Sequence, residues 1–130
     1  MQPTYLPWLG YFDLIARSDI FVFLDDVQFS YRSWQQRNRI LDLGKEKMLT
    51  VPVVRRGNKT NIGDTLIDES QMWREKHVNN IKNAYKKTKH YSYYISFFEK
   101  NIFKSRDCLN NLNQNLVKSI TLDLGLNKEF

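Results

Sequence analysis

The first 26 residues limit the possible folds of this chain most strongly. Pro3 and Pro7 stand four residues apart, and proline fits neither a helix interior nor a central strand. A regular element can begin only after Pro7, and residues 8–18 fit a short helix with the proline at its start. Residues 20–24 are all apolar and predict a strand that is buried on both faces.

Two carboxylates, Asp25 and Asp26, end this apolar run. A loop, a helix and a buried strand in this order predict one half of an α/β sandwich, in which ligands bind beyond the carboxyl ends of the strands. Adjacent strand residues face opposite sides, so we expect one carboxylate to reach a site. It would accept a hydrogen bond from a hydroxyl group, act as a general base or bind Mg²⁺. The cofactor is otherwise unknown. The alternative is that the two aspartates only form a turn.

A hairpin is expected next. Residues 27–39 predict an ordered surface loop, because they are too polar for a core element and too aromatic for disorder. Residues 37–41 and 48–54 then read as paired strands joined by a turn. Pro52 marks an edge or a bulge of the second strand.

The second half predicts a polar loop over 55–64, a short strand over 65–68 and then helices. Apolar residues recur at helical spacing in three segments, which span 73–87, 91–103 and 109–124.

Three residues are expected to cap these helices. Ser70 is the candidate N-cap of the first, and Asp107 that of the third. Gly125 is the expected stop after the third helix.

The composition fits one domain with a real core, since 42% of the 130 residues are apolar. The single cysteine, Cys108, provides no disulfide framework, and we expect it to be buried in a protein of the reducing cytoplasm. No apolar run reaches the length of a membrane span, and no secretory signal is present.

The charge is uneven along the chain. Residues 55–130 hold fourteen Lys and Arg against eight Asp and Glu, which accounts for the whole net charge of +6. The basic helix over 73–89 favours phosphate-bearing partners, namely nucleotides, nucleic acid or a membrane surface. A nucleic-acid-binding module is therefore one candidate function, and an ordinary solvated helix face is the alternative.

Arg37 and Arg39 alternate on the first hairpin strand and share a face, which suits a diphosphate or a carboxylate. The alternative is an ion pair with Asp25 or Asp26. His77 lies on the apolar face of its helix and is either a catalyst or a satisfied core residue. The sequence has no metal-ligand spacing of the C-x-x-C or H-x-x-x-H type, so any metal ligands are unknown.

Several motifs together resemble the WbqC-like protein family over nearly the whole chain. They are Gln2-Pro3, Pro7-Trp8-Leu9-Gly10-Tyr11-Phe12, Asp25-Asp26-Val27-Gln28-Phe29, Trp34, Arg37-Asn38-Arg39-Ile40, Thr50-Val51-Pro52-Val53, Trp73-Arg74-Glu75-Lys76-His77, Ile81, Ala84-Tyr85-Lys86-Lys87 and Leu124-Gly125. Family members often carry a short strand before the Gln-Pro and a further C-terminal segment. The chain is thus expected to be a single domain that resembles a family member without those two parts.

The resemblance implies bacterial surface-polysaccharide or O-antigen biosynthesis, with a sugar nucleotide or a modified amino sugar as substrate. The implied function is a cytoplasmic transferase that modifies or transfers a sugar-linked group. A noncatalytic scaffold of a polysaccharide-synthesis complex is another candidate. A weaker resemblance links the first residues to nucleotidylyltransferase folds, although Trp8 and Tyr11 stand where those enzymes place histidines.

The expected fold is therefore α/β, with a Rossmann-like or nucleotidylyltransferase-like sheet core, a β-hairpin in the first half and a three-helix C-terminal half. The expected catalytic residues are Asp25, Asp26 and His77. The expected substrate-binding residues are Gln2, Trp8, Gly10, Tyr11, Gln28, Trp34, Arg37, Asn38 and Arg39.

Overall fold

The structure, a computed structural model, describes residues 1–55, 60–104 and 108–130. These residues form four helices and one two-stranded antiparallel sheet. In chain order the elements are α1 (Leu9–Arg17), β1 (Arg37–Asp42), β2 (Lys45–Thr50), α2 (Trp73–Tyr85), α3 (Tyr91–Lys104) and α4 (Leu109–Asp123). The expected α/β fold class is wrong, because the described residues contain no Rossmann-like sheet core.

The apolar run over 20–24 explains this difference. Among the described residues it forms no continuous ladder with another strand, and single backbone hydrogen bonds join it to the chain ends. Phe21 N–H donates to the Glu129 carbonyl at 3.0 Å, and Leu24 N–H donates to the Met1 carbonyl at 2.9 Å. Phe21 is buried, whereas Ile20 and Val22 are 59% and 61% exposed. The prediction of a strand buried on both faces is wrong, because the described residues cover only one face of this run.

A division into a sheet core and a three-helix half does not describe the packing either. The described residues form four helices, and α1 packs against α4 in a cluster of its own. Tyr11, Phe12 and Ile15 of α1 meet Val117 of α4 and Phe21 there. A larger cluster joins the hairpin to α2, α3 and the first half of α4.

The hairpin is present, with Arg37 opposite Thr50 and Asp42 opposite Lys45. Leu43 and Gly44 connect its strands at φ 50° and 77°, and two such positive angles in a two-residue loop suit the twist of paired strands. The second strand ends at Thr50 rather than running on to residue 54.

Two buried glutamines shape the loop before the hairpin. The Gln35 side chain accepts from Ser30 N–H at 2.9 Å, and the Gln36 side chain accepts from Arg32 N–H at 2.9 Å. Gln36 Nε2 also donates to the Val51 carbonyl at 3.2 Å. The expected ordered loop is therefore built around these two amides, which close it on itself and tie it to the chain beyond β2.

The segment after β2 is less regular than expected. Residues 65–68 form no strand, and instead Ile67 bridges Val53 while Leu66 bridges Cys108. Part of the predicted polar loop over 55–64 lies outside the described residues.

The helix ends follow local chemistry. Ser70 is not an N-cap, because its Oγ donates to Asp68 Oδ1 at 2.6 Å and α2 begins after Met72. Asp107 lies outside the described residues, and Cys108 occupies the N-cap of α4. The Gly125 prediction is confirmed: its φ is 75° and its N–H donates to the Leu122 carbonyl at 3.0 Å, which closes the helix end.

Within the described ranges, none of the helices has the length and hydropathy needed to cross a membrane.

Candidate functional site

Side-chain amides fix the N-terminal loop in place. Asn113 of α4 donates from Nδ2 to the Pro3 carbonyl at 3.3 Å and to the Gln35 carbonyl at 2.7 Å. Tyr5 N–H donates to the Trp34 carbonyl at 3.0 Å. These bonds tie the loop to α4 and to the segment before the hairpin, so it forms a rigid wall rather than a free terminus.

Leu6 in this loop has φ 46°, a left-handed conformation that a leucine adopts at an energetic cost. Asn38 of β1 holds it there, donating from Nδ2 to the Leu6 carbonyl at 2.6 Å and to the Tyr5 carbonyl at 3.3 Å. Leu6 and the following Pro7 both line a cavity as a result.

This cavity has a volume of about 410 Å³ and lies between the N-terminal loop, β1 and the helices. We call it the apolar pocket. Its lining residues are Leu6, Pro7, Phe12, Arg39, Ile40, Ile81, Tyr85, Thr88, Tyr91, Tyr94, Ile95, Phe98 and Ile120. The volume falls within the range of small-molecule sites, which are typically apolar with a few placed polar groups.

Arg39 is the single charged residue among these lining residues. Its guanidinium carbon lies 5.2 Å from the centre of the Trp34 ring, and its Nη1 donates to Glu46 Oε2 at 2.7 Å. A guanidinium has five N–H donors, so Arg39 keeps donors for a ligand while it holds Glu46. The stacking and the ion pair together set the direction of this donor group.

A run of basic residues lies beside the apolar pocket. The connection between α2 and α3, residues 86–90, includes the lining residue Thr88. Lys86, Lys87, Lys89 and His90 of this connection are all exposed. We call residues 86–90 the basic connection.

The rest of the predicted basic helix is largely neutralised. Arg74 is buried, bonds the carboxylate of Glu69 and the carbonyl of Ile102, and so is no part of a basic surface. Lys82 lies 3.6 Å from Glu99. Lys76 is the exposed cation that α2 keeps, so most of the free cations of the predicted basic helix lie in the basic connection.

Asp25 lies apart from the apolar pocket. Its Oδ2 accepts from Asn110 Nδ2 at 2.6 Å and from Gln114 Nε2 at 3.2 Å, both in the first half of α4. The lining residue Ile120 is six positions beyond Gln114, which is about 9 Å along a helix axis. Asp26 is exposed beside Asp25.

His77 sits in the core between aromatic rings. Its Nδ1 and the Tyr5 hydroxyl share a hydrogen bond of 2.9 Å, and its ring centre lies 5.1 Å from that of Trp73. Burial lowers the pKa of His77 to about 4, and a hydrogen bond with the backbone of Thr50 opposes this shift. The surroundings are those of a satisfied core histidine.

The residues around Gly10 support the loop instead of lining the pocket. A Cβ at Gly10 would lie 1.6 Å from the exposed Trp8 ring, so the indole covers the glycine. The buried Tyr11 donates its hydroxyl to the Gln2 carbonyl at 3.1 Å. Gln35 Nε2 in turn donates to Gln2 Oε1 at 2.8 Å.

Of the nine expected substrate-binding residues, Arg39 alone lines the apolar pocket. Trp34 contacts Arg39, and Asn38 holds the pocket wall. Gln28 bridges Asn61 at the other end of the loop. The alternative for Arg39, an ion pair with Asp25 or Asp26, is not what the structure has, since its ion-pair partner is Glu46.

Sequence reasoning missed most of the lining. Tyr85, Tyr94, Ile95 and Phe98 belong to the apolar residues that recur at helical spacing over 73–87 and 91–103, and periodicity alone does not separate a packing face from a cavity wall. The signal that was available is the presence of tyrosines on those faces, since a tyrosine hydroxyl usually needs a polar partner when buried.

In the parts of the chain that are described, no three His, Cys, Asp or Glu residues lie together as a metal-binding group.

Comparison with known proteins places the chain in a family. A profile of the WbqC-like protein family matches residues 2–130, and the chain belongs to this family. It is similar to a Mycobacterium tuberculosis protein described as "Uncharacterized protein Rv1507c", with 34% identity over 128 residues. The match covers 97% of this chain and 55% of that protein, so the chain spans about half the length of this relative. No solved structure gives a significant match.

Proposed function

We propose that this chain binds a phosphate-bearing small molecule of the sugar-nucleotide class and belongs to a transferase that modifies or transfers a sugar-linked group. The observation that carries the proposal is the apolar pocket of about 410 Å³ with one guanidinium, that of Arg39, in its lining. Family membership supports the class of protein, and the geometry supports a small ligand with one anionic end.

Arg39 and the basic connection would each bind some of the anionic groups of such a ligand. Guanidinium donors match phosphate oxygens in pairs, and Trp34 keeps the guanidinium plane oriented. Lys86, Lys87 and Lys89 add a positive potential beside the same pocket. The tyrosine hydroxyls of the lining, with the hydroxyl of Thr88, would bond the polar edges of the ligand.

Asp25 and Asp26 are the candidates for acid–base work on a part of the substrate outside the apolar pocket. The side-chain amides of Asn110 and Gln114 orient the carboxylate of Asp25. A catalytic group needs such hydrogen bonds to hold it in its productive geometry. We assign a structural role to His77, because it is buried and both of its ring contacts belong to the core.

The test is calorimetric titration with a panel of sugar nucleotides. Arg39→Gln removes the charged donor, and a hydrogen bond to a charged group is worth about 1.5–3 kcal/mol, so affinity should fall by roughly tenfold or more. Arg17→Gln is the matched control, because Arg17 pairs with Asp13 on the exposed side of α1. Equal affinities for the two variants would contradict the proposal.

A nucleic-acid-binding module is the second candidate, favoured by the exposed lysines of the basic connection alone. It predicts affinity for oligonucleotides that falls steeply with salt, since each phosphate contact releases counterions. The burial of Arg74 and the pairing of Lys82 leave fewer cations for this role than the sequence suggested.

A further inference from the structure

The floor and the rim of the apolar pocket differ in chemistry. Phe12 and Ile81 are each 6% exposed and form its inner part, whereas Tyr85 and Tyr94 are 37% and 42% exposed at its opening. The polar atoms of the lining therefore concentrate near the solvent, and the interior is hydrocarbon.

We infer that the inner part of the apolar pocket holds a linear, saturated hydrocarbon chain, whose anionic headgroup binds at Arg39. The inference rests on the proposed function for the anionic end and extends it by naming the group inside. The ligand class is a carboxylate or phosphate that carries a linear hydrocarbon chain.

The energetics exclude a polar group from the same place. A sugar hydroxyl or a base edge that is buried in a protein without a hydrogen-bond partner costs about 1–3 kcal/mol. The side chains of Phe12 and Ile81, which form this inner part, offer no donor or acceptor to such a group. Each CH₂ buried there instead gains about 0.8 kcal/mol, which is roughly fourfold in affinity.

The charges decide which end of the ligand faces the solvent. Arg39 is exposed to solvent and paired with Glu46, so a headgroup can reach it without losing its own hydration entirely. The lysines of the basic connection lie beside the same pocket and add to the attraction. A neutral headgroup would gain no charge–charge attraction from either feature, so the ligand is expected to be an anion.

The experiment is a chain-length series measured by calorimetry on the whole chain. Straight-chain alkanoates and alkyl phosphates, from about four to about ten carbons, should each bind roughly fourfold more tightly per added CH₂ until the pocket is full. The two headgroup series distinguish a carboxylate ligand from a phosphate ligand. Affinity that does not change with chain length would overturn the inference.

Paired variants at Ile95, which is half-buried, test whether the hydrocarbon chain of the ligand lies in the apolar pocket. Ile95→Ala enlarges the pocket and should lengthen the best-binding chain by about one to two carbons, whereas Ile95→Phe should shorten it by a similar amount. Ile20→Ala is the control, since Ile20 is exposed and outside the lining. An unchanged optimum in both Ile95 variants would overturn the inference even if binding persists.

The chain-length series and the sugar-nucleotide panel together separate this inference from the proposed function. Chain-length dependence without binding of any sugar nucleotide would support a hydrocarbon chain in the apolar pocket and reject the sugar-nucleotide class. Binding of an unacylated sugar nucleotide without chain-length dependence would do the reverse. Arg39→Gln should weaken every member of the series by a similar factor and leave the gain per CH₂ unchanged, because it removes only the headgroup contact.

Discussion

Asn38 holds Leu6 in a left-handed conformation, with Asn38 Nδ2 2.6 Å from the Leu6 carbonyl oxygen. The bond crosses from β1 to the N-terminal loop and places Leu6 against the apolar pocket. A strained residue persists only where its surroundings enforce it, so this hydrogen bond makes Asn38 one of the residues that position the wall.

Removing the Asn38 side-chain amide should destabilise the protein, and the size of the loss should depend on which residue stands at position 6. Asn38→Ala loses two hydrogen bonds to buried or half-buried carbonyls and should cost about 1–3 kcal/mol in urea unfolding. Glycine adopts a left-handed conformation freely, so Asn38→Ala should cost roughly 1 kcal/mol less in a Leu6→Gly background. Strictly additive costs would show that Asn38 does not enforce the strain. Asn79→Ala, on the exposed side of α2, is the control.

The buried histidine should make stability depend on pH. The pKa of His77 falls from its usual 6.5 to about 4 in the folded protein. Between these values the unfolded chain binds a proton that the folded one excludes, so the contribution of His77 is complete above pH 6.5 and is lost as the pH falls toward 4. The loss is on the order of 3 kcal/mol.

Unfolding curves for the wild type and for His77→Gln, taken across that pH range, isolate this contribution. The difference in unfolding free energy between the two should shrink steadily as the pH falls. His90→Gln is the matched control, since His90 is the second histidine and is exposed. If His77→Gln and His90→Gln gave the same pH dependence, the burial of His77 would not control it.

Gly10→Ala should not harm the protein, although its Cβ would collide with the Trp8 ring. That ring is exposed and can move away, while alanine is a better helix residue than glycine by up to about 1 kcal/mol. We expect a stability gain of about 0.5 kcal/mol in urea unfolding, and no change in ligand affinity, because neither residue lines the apolar pocket. A loss above about 1 kcal/mol would mean that the Trp8 contact is structural.

Neutralising the basic connection distinguishes the two candidate functions. Replacing Lys86, Lys87 and Lys89 by Gln should weaken sugar-nucleotide binding by a modest factor that shrinks at high salt, because exposed charges are screened. Arg39→Gln should weaken it more. The nucleic-acid candidate predicts the opposite order for an oligonucleotide, with the lysine variant losing the larger part of the salt dependence. Calorimetric titrations measure the sugar-nucleotide affinities and gel-shift titrations the oligonucleotide affinities, each at several salt concentrations.

Local signals in the sequence predicted local structure well. The hairpin follows from two apolar runs around a turn, and the end of α4 follows from Gly125. Each depends on neighbours a few residues away, where turn chemistry and glycine conformation decide the outcome.

Long-range placement is where the sequence reasoning failed. A run of five apolar residues does not show whether one face or both will be covered, and residues 20–24 are covered on one. Asp25 is held by Asn110, which lies 85 positions away, and no local pattern indicates that pairing. The apolar pocket likewise exists only because α2, α3 and α4 meet β1 around the N-terminal loop.

The most direct test of the central claim, that the apolar pocket is the ligand site, is an NMR titration of isotope-labelled protein with a sugar nucleotide. The account predicts that the largest shift changes fall on Arg39, Thr88, Tyr91 and Ile120, which line the pocket from four different parts of the chain. Changes confined to the group around Asp25, with these four unaffected, would contradict it.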